Sequence, residues 1–385
     1  MRSTSALYLF FGTLLMAGGY GATFLISAWF RSHGGTDIEA GATLSMALVG
    51  TLLGVPLVGW FAGRLDASRL AALAALAMSG GYLLLGSSDQ RNIFPSIAAL
   101  LIGLGWGMFY IGGPMALSER ITDAERGHWF TRFSAFQMAG ICGGPVVLTI
   151  LVEQLQVSLQ YAFLLVGATG ILAALLLAIF GNKEPGPQRE VRLRTWFRKI
   201  TRLAASSAGR PIVMVGLGGC VFSGMMSFQG SLVDGTRASA STFFMVHAVT
   251  VVIARLLLAR RLSVLPRTPL VSVLLCCMTC GLVCLLGIPL HPGFQIAAAV
   301  LTGIGYGLVY PVIQTWAVND SAPADRHAAL TWFVVSYFIG IFGFPLFGGW
   351  LLVEAGKVWF ITVLALIALL ELAAALVGRQ PLASR

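Results

Sequence analysis

Few residues in this sequence could do chemistry, because ionisable side chains are almost absent from its long apolar stretches. Glu371 and His247 lie inside two of these stretches, and Arg132 and Arg255 lie nearer to the ends of two others. An ionisable group inside a membrane-spanning helix is costly and usually functional. We therefore expect Glu371 to carry a proton, with His247 as the second candidate. The alternatives are a Glu371 that pairs with an arginine or reaches the inner surface, and a His247 that only packs through a hydrogen bond.

A stripe of polar and aromatic side chains could bind a small molecule. Tyr306, Tyr310 and Gln314 follow one another at i, i+4 and i+8, so they share one face of a helix. Hydroxyl and amide groups form hydrogen bonds, and aromatic rings stack or hold a cation. The stripe therefore favours a substrate that has both apolar area and hydrogen-bonding groups. The alternative is that each tyrosine packs or anchors the helix at the membrane interface.

The common motifs of membrane enzymes and of ATP-driven pumps are missing. None of the five His is followed by Glu, and none of the three Lys is followed by Ser or Thr, which excludes a His-Glu-x-x-His helix and a P-loop. Four of the six Cys, at 276, 277, 280 and 284, lie in one stretch that contains no His, Asp or Glu. We therefore expect small packing residues there rather than a metal site, and neither an enzyme nor a bound cofactor.

The elements that position these residues are membrane spans. Hydrophobic residues make up 57% of the 385 residues and charged residues only 10%, and a spanning helix needs about 20 mostly apolar residues. The first apolar stretch is too long for a signal peptide, so it is counted as span 1. The fold class predicted is an all-α polytopic membrane protein of twelve transmembrane helices. Spans 1 to 12 are predicted at residues 7–30, 39–62, 69–87, 94–117, 131–153, 161–181, 211–230, 240–258, 270–289, 293–318, 329–352 and 358–378.

The net charge of +10 reflects membrane topology rather than nucleic-acid binding. With both termini inside, only four of the 25 Lys and Arg residues fall outside, namely Arg31, Arg91, Arg237 and Lys357. Cytoplasmic loops carry an excess of Lys and Arg. The bias therefore predicts an even number of spans with both termini in the cytoplasm, in a bacterial-type inner membrane whose lipids surround the protein.

The sequence contains an internal repeat. Residues 98–145 match residues 298–345 without a gap, at an offset of 200. Because this offset covers six spans, the two halves have the same orientation and are related by an axis along the membrane normal. We expect one half at 1–181 and the other at 211–385. The basic junction at 182–210 has apolar residues at helical spacing, so it is either an amphipathic helix on the inner leaflet or a flexible linker.

Three motifs resemble the major facilitator superfamily, over essentially the whole chain. The loop after span 2 contains Gly59, Arg64 and Asp66 and is similar to the family signature Gly-x-x-x-Asp-Arg-x-Gly-Arg, although Gly63 stands where the signature has Asp and Asp66 where it has Gly. The family uses this loop as a latch between its halves. The second motif is Gly140, Gly144 and Pro145 in span 5, which resembles a motif of the family's exporters and antiporters, and Pro345 in span 11 is the repeat equivalent of Pro145. The third consists of Arg126, Arg255 and Arg326, which resemble the arginines of the family's cytoplasmic gate.

The resemblance implies a monomeric secondary transporter that works by alternating access. In this family spans 1, 4, 7 and 10 line the substrate cavity. The resemblance therefore implies that the cavity of this chain is lined by Tyr20, Thr23, Trp106, Tyr110, Gln229, Tyr306, Tyr310 and Gln314. We expect proton-coupled export of a small molecule such as a metabolite, a siderophore or a drug-like compound. A proton-coupled importer of a small nutrient and a transporter-like sensor or scaffold without flux are the alternatives.

Overall fold

The computed structural model describes residues 3–61, 64–88, 92–183, 208–262, 265–321 and 325–377. All the regular structure in these ranges is helical, which confirms the predicted all-α fold class. Eleven helices are long and apolar enough to cross a membrane, and a twelfth has its apolar part at Ala240–Arg255. Spans 1 to 6 are Ser3–Ala22 continued by Thr23–Leu25 and Ile26–Ser32, Asp37–Phe61, Ala67–Gly86, Phe94–Ser118, Asp123–Glu153 and Leu159–Lys183. Spans 7 to 12 are Gly209–Ser227 continued by Gln229–Val233, Ala240–Leu262, Arg267–Leu285, Gly293–Asn319, Arg326–Glu354 in three parts, and Gly356–Leu376.

Three spans are interrupted. Span 1 tightens into a 3-10 turn at Thr23–Leu25, and span 7 breaks at Phe228 before a short helix at Gln229–Val233. Span 11 widens into a π-helical segment, Ile339–Gly343, immediately before Phe344 and Pro345. Proline cannot donate a backbone hydrogen bond, and irregular backbone inside a membrane needs neighbouring groups to satisfy it. At the interruption of span 11, a neighbouring span must therefore supply a hydrogen bond.

The chain divides into two compact units. One consists of Met1–Arg194 with Pro345–Gly349, and the other of Thr195–Phe344 with Trp350–Arg385. Most of the junction predicted at 182–210 lies outside the described residues, which resume at Ala208.

The offset of 200 between the halves extends to the packing of spans 2 and 4 and of spans 8 and 10. In the first unit the bare Cα of Gly103 lies against the carbonyl oxygen of Ala47, and in the second Gly303 lies near that of His247. Glycines in both places let two helices approach closely, as small residues do at membrane helix contacts. Residues of spans 2 and 8 that differ by 200 are therefore structural equivalents.

Spans 1 and 7 follow a slightly different register. In the first unit Gly140 of span 5 packs on Leu14, Ala17 and Gly18 of span 1, and in the second Gly340 of span 11 packs on Gly216, Gly219 and Cys220 of span 7. Each of these span 7 residues is 202 positions after its counterpart in span 1. Residues of spans 1 and 7 that differ by 202 therefore occupy equivalent places, although their sequences do not align visibly.

Candidate substrate and proton sites

In each half, two aromatic rings stack closely between the first span of that half, span 1 or 7, and its fourth span, span 4 or 10. Tyr20 and Trp106 lie parallel in the first half, with ring centroids 4.4 Å apart and an interplanar angle of 10°, and Phe222 and Tyr306 lie parallel in the second at 4.3 Å and 9°. All four side chains are buried. The two pairs are equivalent, since Tyr20 and Phe222 differ by 202 and Trp106 and Tyr306 by 200. Sequence reasoning found three of the four residues and missed Phe222, whose only signal is the register of spans 1 and 7.

The next aromatic residues along spans 4 and 10 are half-buried. Tyr110 contacts the Trp106 ring at 5.7 Å in an edge-on orientation. Tyr310 contacts Phe333 at 5.4 Å and Tyr337 at 5.0 Å, both in span 11. Gln314, one turn beyond Tyr310, is also half-buried. The predicted stripe on span 10 therefore extends onto span 11.

Thr23 and Gln229 lie at the interruptions of spans 1 and 7, and their polar groups are used differently. The Thr23 hydroxyl donates to the Tyr20 carbonyl oxygen at 2.7 Å, so it serves its own turn. Gln229 is fully buried, and neither its amide nitrogen nor its amide oxygen has a hydrogen-bond partner among the described residues. A buried amide without partners is unfavourable. The Gln229 amide is therefore available to a polar ligand or a water molecule.

Glu371 is buried in span 12, with 1% of its surface exposed. It faces span 7 at Gly218, where a Cβ atom would lie 3.1 Å from both carboxylate oxygens, so the glycine makes room for the acid. Its Oε2 atom has no hydrogen-bond partner, and no arginine pairs with it, within the part of the chain that the structure describes. Of the two alternatives to a proton-carrying Glu371, the arginine pair is not formed among the described residues, and the buried carboxyl group does not reach the surface.

His247 is buried in span 8 and packs against its neighbours. Its Nδ1 atom lies 3.3 Å from the Thr302 hydroxyl oxygen, and its ring stacks on Phe243 at 5.8 Å. The Thr302 hydroxyl also lies 2.7 Å from the Ala298 carbonyl oxygen, and when it donates its single proton there, Nδ1 is the donor towards Thr302. One ring nitrogen of His247 is therefore committed to a structural hydrogen bond.

The loop between spans 2 and 3 is held by an ion pair inside the first half. Asp66 accepts a hydrogen bond from the Ser68 backbone N–H at 3.1 Å and so caps span 3. The same carboxylate binds the Arg120 guanidinium at 2.8 and 2.9 Å. The Arg120 side chain is 3% exposed, and its Cζ atom lies over the Phe180 ring, 5.0 Å from the ring centroid. Asp66 therefore joins the loop to the end of span 4, whereas Arg64 is exposed and Gly59 is half-buried.

The second half has the same kind of pair with the charges exchanged. Arg267, at the start of span 9, donates to Asp320, at the end of span 10, at 3.0 Å. The other Asp320 oxygen accepts from the Trp316 indole N–H at 2.6 Å. Asp320 is the repeat equivalent of Arg120, so the acid of this pair stands where the first half has its base. Sequence reasoning missed Arg120, Arg267 and Asp320.

The family of this chain is shown by its match to a protein-family model. The model described as Major Facilitator Superfamily matches residues 9–342. The chain belongs to the Major Facilitator Superfamily. As a member it is a multi-pass membrane transporter and not an enzyme.

Curated relatives and solved structures agree with this assignment. An uncharacterized MFS-type transporter of Salmonella enteritidis, YhhS, is 27% identical over 323 residues, covering 77% of this chain and 72% of its own length. One of Burkholderia mallei is 26% identical over 337 residues, covering 81% and 79%. A point mutant of the nucleoside transporter NupG has the same fold, with a TM-score of 0.79, 11% identity and coverage of 98% of this chain and 100% of its own.

The glycine and proline motif of this superfamily member mediates contact between spans 1 and 5. Gly140 packs on the Leu14 carbonyl and Gly144 on that of Gly18, where added side chains would overlap the backbone. Pro145 lies within span 5, and its counterpart Pro345 begins the last part of span 11.

The gate-like arginines are separate in the structure. Arg255 donates from Nε to the Gly307 carbonyl oxygen at 3.0 Å, so its donor is turned towards a backbone carbonyl of span 10. Arg326 is exposed at the start of span 11. The side chain of Arg126 lies outside the described residues.

Proposed function

We propose that this transporter exports a small organic molecule in exchange for protons, with Glu371 as the proton carrier. The observation that carries the proposal is the burial of this carboxyl group beside Gly218 of span 7, where no basic side chain among the described residues neutralises it. A buried carboxylate without a partner is unfavourable unless it binds a proton. Protonation and deprotonation of Glu371 would therefore change the packing of spans 7 and 12 and could couple to transport.

The substrate we propose is amphipathic and carries an aromatic or similarly flat apolar part. Within the second half, the stacked rings of Phe222 and Tyr306, together with the half-buried Tyr310, support the apolar contacts. The Gln229 amide, which has no partner among the described residues, and the half-buried Gln314 would supply hydrogen bonds, as polar groups in mostly apolar sites do.

Export rather than import is supported by the Gly140 to Pro145 motif, which resembles that of exporters and antiporters. The placement of Lys and Arg supports an inner membrane with both termini in the cytoplasm. We expect a monomer, with a metabolite, a siderophore or a drug-like compound as substrate.

Transport by purified protein in liposomes tests the proposal. We would follow ethidium, a flat aromatic cation, under an imposed pH gradient. The wild-type protein should accumulate ethidium against its concentration gradient. Glu371→Gln should abolish this accumulation while leaving downhill ethidium exchange, because the neutral amide keeps the shape of the site but cannot release a proton. Glu354→Gln, at an exposed acid in span 11, is the matched control and should transport normally.

Two results would contradict the proposal. If the pH gradient has no effect on any of a panel of amphipathic aromatic compounds, proton coupling is wrong. If the gradient drives uptake in the opposite direction, the protein is the proton-coupled importer instead.

A further inference from the structure

Two prolines leave backbone carbonyls without their usual helical partners in spans 10 and 11. Pro311 lies inside span 10, and Pro345 lies in the first turn of the last part of span 11. A proline has no N–H to donate to the carbonyl four residues earlier. The carbonyls affected are those of Gly307 and Ile341. Inside a membrane no bulk water replaces the missing hydrogen bond.

Both carbonyls receive a hydrogen bond from a side chain of a neighbouring span. Arg255 of span 8 donates from Nε to the Gly307 oxygen at 3.0 Å. Ser223 of span 7 donates from its hydroxyl to the Ile341 oxygen at 2.5 Å, and both of these residues are buried. The two donors are 52 and 118 residues away from their acceptors. Each donor therefore replaces, from another helix, the N–H that a proline lacks.

The first half supports this interpretation at span 4. The equivalent of Pro311 is Ile111, which has a backbone N–H, and the equivalent of Arg255 is Val55. Gly307, whose carbonyl oxygen accepts from Arg255, has Gly107 as its counterpart. The arginine is thus present where position 311 is a proline and absent where its counterpart is Ile111, as expected if one compensates for the other, although span 4 has its own proline, Pro114, three residues further on.

In the first half, the equivalent of Pro345 is Pro145, and the carbonyl that it frees has a different kind of neighbour. Pro145 frees the carbonyl of Ile141, and this oxygen lies against the bare Cα of Gly21 in span 1, where a Cβ atom would be only 2.6 Å away. Gly21 is the equivalent of Ser223 in the register of spans 1 and 7. The first half therefore brings the backbone of span 1 close to the freed carbonyl, and the second half supplies a hydroxyl.

We propose that Arg255 and Ser223 are positioning residues for transport. They hold the helix backbone at Pro311 and at Pro345, so that spans 8 and 10 move as one pair and spans 7 and 11 as another. Arg255 thus acts on the neighbouring backbone rather than as a solvent-facing gate.

The backbone geometry of span 10 at Pro311 also determines where the side chains around it point. Tyr310 and Gln314 lie on either side of Pro311, so Arg255 sets their relative directions. This part of the inference rests on the proposed function, in which both residues line the substrate site.

A double-mutant cycle tests the role of Arg255. Hydrogen–deuterium exchange at the backbone amides of span 10 is measured in lipid nanodiscs for Arg255→Met, Pro311→Ala and the double variant. Arg255→Met should raise the exchange rates near Gly307 by about tenfold, the effect of losing a hydrogen bond from a charged donor. Pro311→Ala restores the backbone N–H, so the same change should then raise exchange less than about threefold. Equal increases in both backgrounds would overturn the inference.

Arg255→Lys keeps a donor and covers the case in which Arg255→Met does not fold. It should leave the exchange rates of span 10 close to those of the wild type. If it raises exchange as much in the Pro311→Ala background as with Pro311 in place, the hydrogen bond to Gly307 is not what Arg255 provides.

The same design applies to Ser223. Ser223→Ala should raise exchange in span 11 with Pro345 present and much less in the Pro345→Ala background, whereas Ser223→Thr, which keeps the hydroxyl, should show less of the effect. Ser272→Ala is the matched control, because that hydroxyl donates to Thr268 within its own span at 2.9 Å. A Ser223→Ala effect no larger than that of Ser272→Ala would refute the role of Ser223.

Ethidium transport by the same variants separates this inference from the proposed function. Arg255→Met should slow transport per folded molecule, and Pro311→Ala should restore part of the rate. If no variant, including the wild type, responds to the pH gradient, the proposed function fails while the exchange cycles still decide the inference. If the cycles are additive while gradient-driven transport persists, the inference fails and the proposed function stands.

Discussion

The two halves of this transporter share a backbone plan but secure it with different groups. In the first half a buried Arg120 holds Asp66, whereas in the second a half-exposed Arg267 holds Asp320. The position that meets a proline-freed carbonyl is Gly21 in the first half and, in the second, a serine that donates a hydrogen bond. The two halves therefore share structural requirements, such as a hydrogen-bonded carbonyl or a neutralised charge, but they fulfil them with different residues.

The ion pairs give the largest expected difference between the halves. Arg120→Ala leaves Asp66 without its buried partner, and breaking such a pair costs about 3–5 kcal/mol of unfolding free energy. Arg267→Ala removes a more exposed arginine, with 38% of its side chain accessible, and should cost about 1 kcal/mol or less. Unfolding in mixed detergent micelles measures both. Equal losses would show that burial does not distinguish the two pairs.

The glycine contact is the next test of the comparison. Gly21→Ala would bring a Cβ atom to 2.6 Å from the Ile141 oxygen and 2.8 Å from the Pro145 ring, and overpacking of this kind costs about 1–3 kcal/mol. Gly143→Ala is the control, since no atom lies within 4 Å of its added Cβ, and a helical Gly→Ala change there should stabilise by up to about 1 kcal/mol. A Gly21→Ala variant as stable as the control would remove the contrast with Ser223.

The aromatic stacks should respond more weakly. Trp106→Tyr gives the first half the residue that the second half has at Tyr306, so most of the stacking with Tyr20 should persist. We expect a loss of about 0.5–1.5 kcal/mol, the range for an aromatic pair beyond its buried area. Ethidium affinity, measured by fluorescence, should fall if this stack contributes to the substrate site and stay constant if it only packs.

The smallest effect concerns the side-chain cap of span 5, which precedes the membrane-spanning part of that helix at His128–Glu153. The Thr122 hydroxyl and backbone N–H donate to Glu125 at 2.9 and 3.3 Å, and these hydrogen bonds lower the pKa of Glu125. In the second half Asp325 stands at the position of Glu125, and the position of Thr122 lies outside the described residues. Thr122→Ala should return the Glu125 pKa towards its ordinary value, which carbon-13 NMR of labelled glutamate can follow.

The pH dependence of this cap has a defined sign. Because the folded-state pKa of Glu125 is depressed, its contribution to stability is present above the unfolded-state pKa and is lost as the pH falls through the folded-state pKa. The stability difference between Thr122→Ala and the wild type should therefore shrink on acidification, and a difference that grows would contradict the capping interaction.

The candidate site was predictable where residue type alone decided it. Tyr20, Trp106 and Tyr306 stand out as aromatic residues in apolar spans, and Glu371 as an acid in one. Phe222 could not be singled out, because a phenylalanine in a membrane span is ordinary until the register of spans 1 and 7 places it on Tyr306.

By itself the sequence determined the apolar spans, the absence of the common enzyme and ATPase motifs, and the offset that relates the halves. These follow from local composition, since about 20 apolar residues form a membrane helix wherever they stand. Only the tertiary structure decided which groups meet: Asp66 with Arg120, Ser223 with the Ile341 carbonyl, and Arg255 with that of Gly307. Every residue has a carbonyl that accepts a hydrogen bond, so a donor's partner is set by helix register and approach, which no local pattern in the chain encodes.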